Sequence, residues 1–491
     1  MYDIIITYNI FGVLKMNKYK KLVFNTGIFA IGTFGSKILV LLLNRLYTAN
    51  LSSHNLGIKG LLVTMALFLQ PIFTFALQEY LIRFGLDKEY DKRQVFNTSA
   101  VMTTAGMLLM AIAMPLLAAV PALDFVKGYS LLLIVYVITS SFRMLCQQFV
   151  RALDKVKLFS IDGIFAVLTL LIFNVIFISV LHWGVKGFML ATILSDLCSV
   201  VFLFSAAKLK KYTGIRYFNK ELAGEMLRFA GPFIPTIVMW TITSLSDRLF
   251  INKMHSEYHE LGKSAVGIYD CANVIPNLIS MVSTIFYQAW SMSAINENSS
   301  ADRNKFYEKV YSAYEAMLFI ASAGLLLLIK PVTSIFMVSS TYSEYSTVYL
   351  YTPILIVAVL FMSLNQFLGS IYSATKHPKN SCYTALAACI VNIPMNYFLI
   401  PIWGINGAAI ATLLSYLICF WARIIDARYY VPFRFNGVKN LANTALLLLM
   451  CAVMMTEVKY YIFGALVFAA AVAAMNYKSL LITVNKLLKR S

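Results

Sequence analysis

The stretch WGVKGFMLATILS, Trp183 to Ser195, returns 220 residues later as WGINGAAIATLLS, Trp403 to Ser415. Tryptophan, both glycines, the Ala-Thr pair, the second leucine position and the closing serine are identical, and most other positions exchange one apolar residue for another. An interfacial Trp, glycines that permit a tight turn, and small residues that let helices approach closely describe the start of a helical hairpin at a membrane surface. The phrase is structural in kind: it builds a lobe and need not touch a ligand.

Composition sets it in a membrane. Sixty per cent of the 491 residues are hydrophobic, 13% are charged and mean hydropathy is +0.74, which excludes a water-soluble domain of this length. The apolar runs are about 20 residues or longer, the length of a spanning helix rather than of a barrel strand. Fourteen spans are expected, at 23–48, 56–83, 94–120, 128–150, 158–182, 184–207, 228–251, 264–290, 309–329, 346–373, 379–401, 406–424, 439–456 and 459–478. The two Trp-Gly phrases open the sixth and twelfth spans. An even offset makes a parallel repeat, two six-helix lobes related by an axis along the membrane normal, with two further helices behind.

The implied organisation is an N-terminal segment 1–22, a first lobe 23–207, a linker 208–227, a second lobe 228–424, a helix pair 439–478 and a basic tail 479–491. Met16, followed by NKYKK, stands as an alternative start, and the residues before it lack the basic leader of a signal peptide. The net charge of +19 is a loop charge: about three quarters of the Lys and Arg fall on one side of this topology, which places both termini in the cytoplasm. Membrane orientation, not nucleic acid, accounts for it. The linker, with Lys208, Lys210, Lys211, Arg216 and Lys220, fits a helix on the anionic inner leaflet or a solvated connection equally well.

Shorter echoes join the long one. LGIKG (56–60) matches VGIYD (266–270), Thr74 and Gln78 match Thr284 and Gln288, and RLY (45–47) matches RLF (248–250). Seven cysteines, at 146, 198, 271, 382, 389, 419 and 451, lie in or beside apolar runs without ligand spacing and read as small core residues. Gly262-Lys263-Ser264 lacks the rest of a phosphate-binding loop, and HSEYHE (255–260) is a loop outside a zinc-protease pattern. No metal ligand or cofactor is expected.

A charge at the bilayer centre costs on the order of 3 kcal/mol, so charges inside spans face a partner or a water-lined cavity. Lys37, Arg45, Glu79, Arg83, Arg143, Asp247, Arg248 and Asp270 are such charges. Arg45, Arg83 and Arg248 lie near span ends, where a long side chain reaches water at little cost. Glu79 and Arg83 have the spacing and order of an intrahelical ion pair. Arg143, Gln147 and Arg151 make one polar stripe; Asp270, Asn273, Asn277, Thr284 and Gln288 make another; Asn365, Gln366 and Tyr372 form a weaker patch. Any one of these can be glue between helices. Stripes on several helices of both halves point to a shared hydrophilic cavity.

The opening FNTGIFAIGTFGSKILVLLLNRLYTANLSSHNLGIKG (24–60), PIFTFALQEYLIRF (71–84), QQFVRALDKVKLFSIDG (147–163), SDRLFINKM (246–254) and the two WGxxG hairpins resemble the polysaccharide exporters and oligosaccharide-lipid flippases of the multidrug/oligosaccharidyl-lipid/polysaccharide superfamily. The resemblance covers nearly the whole chain. It implies an all-helical, MATE-like fold and a non-enzymatic transporter of the bacterial inner membrane. The cargo would be an undecaprenyl-pyrophosphate-linked oligosaccharide, and the partners membrane lipids and other polysaccharide-assembly proteins. Under it, Lys37, Arg143, Arg83, Arg151 and Arg248 serve the lipid-linked phosphate. Asp270, Asn273, Asn277, Gln288, Asn365 and Gln366 line the polar cavity, and Glu79 and Asp247 are candidate ion-coupling sites. The lipid tail follows a groove at the last two spans. A cation-coupled drug antiporter of the same superfamily is the runner-up, kept open by Glu79, Asp196, Asp247 and Asp270 although the first span carries Lys37 and no acid. A membrane polymerase or glycosyltransferase would need a larger loop or domain for its chemistry.

Overall fold

The computed structural model describes residues 39–40, 42–87, 89–297, 302–337, 341–375, 377–456 and 461–488, and every regular element among them is helical. Helix α1 covers residues 42–50 of the described chain. It is followed by α2 (Ser53–Phe73), α3 (Leu77–Leu86), α4 (Lys92–Ala119), α5 (Ser130–Ala152), α6 (Val156–Asn174), α7 (Gly184–Ala206), α8 (Lys220–Ala230) and α9 (Phe233–Lys253). Then come α10 (Lys263–Ala272), α11 (Pro276–Glu297), α12 (Arg303–Leu327), α13 (Ile329–Phe336), α14 (Thr352–Ala374), α15 (Pro378–Tyr430), α16 (Gly437–Met455) and α17 (Tyr461–Leu488).

Among the described residues, ten helices are long and apolar enough to cross a membrane, or twelve if two bent pairs, α8 with α9 and α10 with α11, each count as one span. Helix α15 is a special case. Gly404 has φ +56° and ψ −131°, outside helical geometry. Arg423 near one end donates to Thr384 near the other, and Asn380 donates to Asp426. The segment therefore doubles back at Gly404 into two antiparallel arms, as the expected spans 379–401 and 406–424 require. Most of the expected first span, with Lys37, lies outside the described residues, so fourteen spans stand as the sequence expectation.

The duplicated phrase makes duplicated geometry. Gly184 has φ +55° and Gly404 φ +56°, left-handed values open to glycine at no steric cost. A Cβ on Gly187 would lie 3.0 Å from the Phe177 carbonyl oxygen, and one on Gly407 would lie 2.3 Å from that of Leu399. In each copy the first glycine turns the chain and the second lets the new helix close on the old. Trp183 and Trp403 are both 49% exposed, consistent with interfacial anchors.

The expected span 56–83 is broken. It contains Pro71, then leaves the helix at Thr74–Ala76, where Phe75 and Ala76 take φ of 54° and 53°. Left-handed backbone costs a non-glycine residue roughly 1–2 kcal/mol, and the sequence PIFTFALQ gave no glycine to announce it. Gly106 of α4 accommodates the break, since a Cβ there would sit 1.6 Å from the Phe73 carbonyl oxygen. The linker is folded, too: α8 packs on α3 and α4, burying Leu222, Ala223, Met226 and Ala230. Tyr90 donates to Glu225, and the Gly214 amide donates to Asn97.

Helices α3–α7 pack mainly on one another, as do α9 and α11–α15, while α2 and α10 pack mainly on each other across the two halves, and α16 and α17 lie against α12 and each other. The halves meet where α2 crosses α9 and α10. There Gly57 faces Gly267, the two glycines of the LGIKG and VGIYD echo. A Cβ on Gly57 would lie 1.8 Å from the Lys263 carbonyl oxygen, and one on Gly267 would lie 2.0 Å from that of Ser53, so the contact is symmetric. Without a hydrophobic drive inside lipid, such backbone-to-backbone approach is how helices associate. At the same end Tyr345 donates to the Leu51 carbonyl, and Lys253 pairs with Asp124 at 2.9 Å.

Gly267→Ala should accordingly force this crossing apart and destabilise the protein by about 1–3 kcal/mol, the usual cost of overpacking. Gly224→Ala, with nothing within 4 Å of the added methyl, should leave the thermal unfolding midpoint in detergent unchanged or slightly raised, since alanine is the better helix former. Equal midpoints for the two variants would refute the seam as described.

Candidate substrate cavity and its buried charges

Beyond the Gly57–Gly267 crossing, the second half of α2 and the start of α3 face α9 across a cavity of about 410 Å³. Its wall includes Thr64, Gln70, Thr74 and Gln78 from the first half and Trp240, Thr241 and Ser244 from the second. The strained turn at Thr74–Ala76 is part of that wall, which aims Gln78 along it. A second cavity of about 280 Å³ shares Leu67, Gln70 and Met144 with the first and leads into the N-terminal half, past Arg143 and Gln147 to Asp196. A third, of about 430 Å³, lies between α1 and the α10–α11 bend and is lined by Tyr47, Lys59, Asn277 and Thr284.

Most charges anticipated from the sequence are already paired. Arg143 forms an ion pair with Asp196 at 2.8 Å, at side-chain exposures of 26% and 2%. Ser140 donates to the other Asp196 oxygen. One turn on, Gln147 donates to Asp162, which also accepts from Ser199. The α5 stripe is therefore genuine, and its partners are α6 and α7. Arg248 pairs with Asp270 at 2.7 Å and donates to the Ser244 carbonyl and hydroxyl. Asp270 thus serves an arginine rather than an open polar surface. Its carboxylate fills the notch beside Gly60, where a Cβ would lie 1.5 Å from Oδ2.

The expected Glu79–Arg83 pair does not form. Arg83, exposed at the end of α3, reaches forward to Asp87 at 2.8 Å, because the helix ends there and Asp87 is free of it. The Glu89 amide and the Arg83 guanidinium hold the Asp87 carboxyl below its usual range. Glu79 instead interacts electrostatically with Arg151, which lies over the Phe159 ring. Asp247 is 2% exposed and accepts from Tyr269, Asn392, Asn396 and Thr412 at 2.6–3.0 Å. One carboxylate ties α9, α10 and both arms of α15.

The amide residues divide. Asn277 lines the third cavity and is exposed; Asn273 donates to the Tyr269 carbonyl of its own helix. Asn365 is fully buried, donating to the Tyr416 carbonyl, so it packs helices rather than facing a cavity. Gln366 accepts from Ser283 between α11 and α14. Lys37 lies outside the described residues, as does the side chain of Gln288.

Three residues that the sequence did not single out emerge. Lys59 of α2 points into the third cavity, its ammonium 4.2 Å from the Tyr47 ring centre and 5.0 Å from that of Phe188. No carboxylate lies within ion-pair distance of it among the described residues. In LGIKG it is a lone lysine amid an apolar run, flanked by the glycines that define the motif. Arg423 is 3% exposed and donates to Asn365, Thr384 and Ser381. It sits over Trp240, the third residue, with 5.6 Å from guanidinium carbon to ring centre.

A bundle of apolar helices in two pseudo-equivalent halves around a shared cavity defines the class: a multi-pass membrane protein with a transporter's architecture. Residues 22–291 match the family described as "Polysaccharide biosynthesis protein", and residues 248–398 match MatE. The chain belongs to the polysaccharide biosynthesis protein family, within the multidrug/oligosaccharidyl-lipid/polysaccharide superfamily of membrane transporters. Among solved structures it is similar to the lipid II flippase MurJ in an inward closed conformation: TM-score 0.67, 15% identity, 93% of this chain and 99% of that one. It is also similar to a multidrug resistance MATE family transporter facing inward, with TM-score 0.66, 15% identity, 80% of this chain and 95% of that one. The outward-facing MATE transporter gives TM-score 0.63, 15% identity and 86% and 97% of the two chains. No curated protein matches by sequence. At such identities the likeness is one of fold.

Removing one member of the Arg143–Asp196 pair strands the other. Arg143→Ala should cost about 3 kcal/mol, the low end for a buried pair because the arginine is partly exposed. Adding Asp196→Asn to that variant should recover much of the loss. A thermal-unfolding double-mutant cycle that gives additive effects would rule out the coupling.

Proposed function

We propose that this protein is a flippase that moves an undecaprenyl-pyrophosphate-linked oligosaccharide from the inner to the outer leaflet of the bacterial inner membrane by alternating access. Both termini would then be cytoplasmic, as the loop charges suggest. The observation that carries this is a cavity walled by both halves, next to a seam where those halves touch through glycine backbone. Two bodies that share a substrate chamber beside a close helix crossing are what rocking about a fixed site requires. The substrate class draws on family membership in polysaccharide biosynthesis, and the similarity to a structure named as a lipid II flippase is consistent with it.

The phosphate would be served by Arg143, which exchanges its Asp196 contact for the ligand, and by Lys59, which forms no ion pair among the described residues although Asp270 is near enough to act on it electrostatically; Lys37 remains a further candidate. Arg248 is held by Asp270 at the seam, and Arg83 is exposed at a helix end, so both act on the edge of the path. Asp247 is the better placed of the two ion-coupling candidates. Its cage of two amides and two hydroxyls offers further oxygens to a small cation once the amides turn over, and Asn396 Oδ1 is a buried acceptor with no partner. A lipid tail kept in the bilayer along α16 and α17 completes the path. The central cavity has no carboxylate in its described wall, which counts against an organic cation as cargo.

The assay is leaflet reversal of a fluorescent undecaprenyl-pyrophosphate oligosaccharide in proteoliposomes. Reversal without elongation is expected. Lys59→Ala should slow it roughly tenfold or more, the loss that follows from removing a charge-assisted contact worth about 1.5–3 kcal/mol. Asp247→Asn should abolish any dependence on an imposed cation gradient. Transport of an organic cation with no movement of the lipid would replace the flippase with an antiporter, and elongation of the glycan would replace it with a polymerase.

A further inference from the structure

The cavity between the halves suits only part of a lipid-pyrophosphate glycan. Among the described residues that line it none is charged. A phosphate placed there would find neutral donors but no cation to balance its charge. The polar surface consists of neutral donors and acceptors, chiefly the amides of Gln70 and Gln78, the hydroxyls of Thr64 and Ser244, and the indole of Trp240. A sugar asks for that combination: hydroxyls that pair with amides and hydroxyls, and C–H faces that lie on a flat aromatic surface.

Trp240 is held in place for such a role. The Arg423 guanidinium covers its ring at 5.6 Å, and Tyr416 meets it edge-on at 5.7 Å and 63°. Arg423 is itself fixed by the Asn365 carbonyl at 2.6 Å and Thr384 at 2.9 Å, and the absence of a Cβ on Gly369 leaves room for its Nη1. The indole is thus pre-set before any ligand arrives, which lowers the ordering cost of binding. Neither the Gln70 amide nor the Trp240 N–H has a hydrogen-bond partner among the described residues. The volume of about 410 Å³ falls within the roughly 300–1,000 Å³ of pockets that enclose small molecules. The cations stand off the wall, Arg143 in the adjoining cavity, Lys59 in the third, and Arg248 behind Ser244, whose hydroxyl it holds while paired with Asp270.

We propose that this chamber is a saccharide subsite for an uncharged pyranose: Trp240 stacks on the ring, Gln70 and Gln78 bond its hydroxyls, and the phosphate is held at the separate cationic positions. The proposal rests on the flippase reading and adds to it the chemical class of the sugar that sits between the halves, a neutral one rather than a uronic acid.

The full chain in lipid nanodiscs is titrated with three probes: bare undecaprenyl pyrophosphate, the same lipid carrying a neutral N-acetylhexosamine disaccharide, and the same lipid carrying a glucuronic acid-containing disaccharide. The neutral glycolipid should bind roughly tenfold more tightly than the bare lipid, an increment within reach of one aromatic platform. Trp240→Ala should erase that increment while leaving the affinity for bare lipid unchanged, and Trp240→Phe, which keeps a ring, should retain most of it. The acidic glycolipid should show no increment. The subsite is overturned if wild type binds bare and neutral glycolipid alike, if Trp240→Ala weakens both equally, or if the acidic sugar binds as well as the neutral one; in each case the lipid still binds and the flippase reading survives. Failure of all three lipids to bind wild type overturns the flippase reading and the subsite with it.

Discussion

The structure depends on a place where two helices have nothing between them. At Gly57 and Gly267 the backbones of α2 and α10 come so close that either glycine's missing Cβ would collide with a carbonyl of the other helix. Just beyond, the Asp270 carboxylate occupies the space that Gly60 leaves empty. In water such a contact would be weak, because it buries little apolar area. In lipid, close backbone approach gains dispersion and weak Cα–H···O contacts against tails that offer no better alternative. At the glycines themselves no side chain intervenes, while on either side the buried side chains of α2, among them Leu56, Leu61 and Met65, share one apolar core with Leu245, Val266 and Tyr269.

Each half, by contrast, is bound to itself by buried polar groups. Asp247 gathers α9, α10 and both arms of α15 through four donors. Arg423 gathers α14 and the same two arms farther along, and Asp162 and Asp196 do the same for α5, α6 and α7. Breaking any of these leaves a charge in a low-dielectric interior, which is far costlier than separating two glycines. Deformation therefore concentrates at the seam and at the left-handed turn of Phe75 and Ala76, where the helix is already interrupted and its backbone already strained. Two internally tied bodies that meet along α2, α9 and α10 follow from where the sequence puts its glycines and its buried charges.

Much of this architecture was legible because it is local. A glycine after a tryptophan, repeated with its neighbours, reports a turn and a close packing that the chain makes with residues a few positions away, and Gly184 and Gly404 share the same φ as a result. The echo LGIKG and VGIYD was also legible, though not that its two glycines would face each other. Partners were illegible because they come from helices distant in sequence: nothing near Arg143 names Asp196, and nothing near Asn365 names Arg423. The Glu79–Arg83 expectation failed for the same reason, since spacing permits a pair but the surrounding helices decide it. Lys59 and Trp240 lay unremarked in apolar runs, where a single polar or aromatic residue says little until its neighbours are known.

The division between a neutral chamber and its charged margins bears on how binding could drive motion. A ligand changes a conformational equilibrium only by touching the two states differently. Arg143 stands on α5 of one half and Trp240 on α9 of the other, in cavities that share Leu67, Gln70 and Met144. A phosphate at Arg143 would touch the first half alone, whereas a sugar in the chamber would touch Gln70 and Gln78 of the first half and Trp240 of the second, so on the proposed reading it is the sugar that senses the disposition of the halves. A sugar covalently joined to a pyrophosphate would in addition be anchored on α5 by its phosphate while its ring lay on α9. Its binding energy depends on the distance between α5 and α9, which is the quantity that opening or closing the Gly57–Gly267 seam would alter. Selectivity for the complete lipid-linked glycan and the coupling of its binding to rocking would then be one physical property, arising from placing the phosphate's contacts on one half and the sugar's contacts across both.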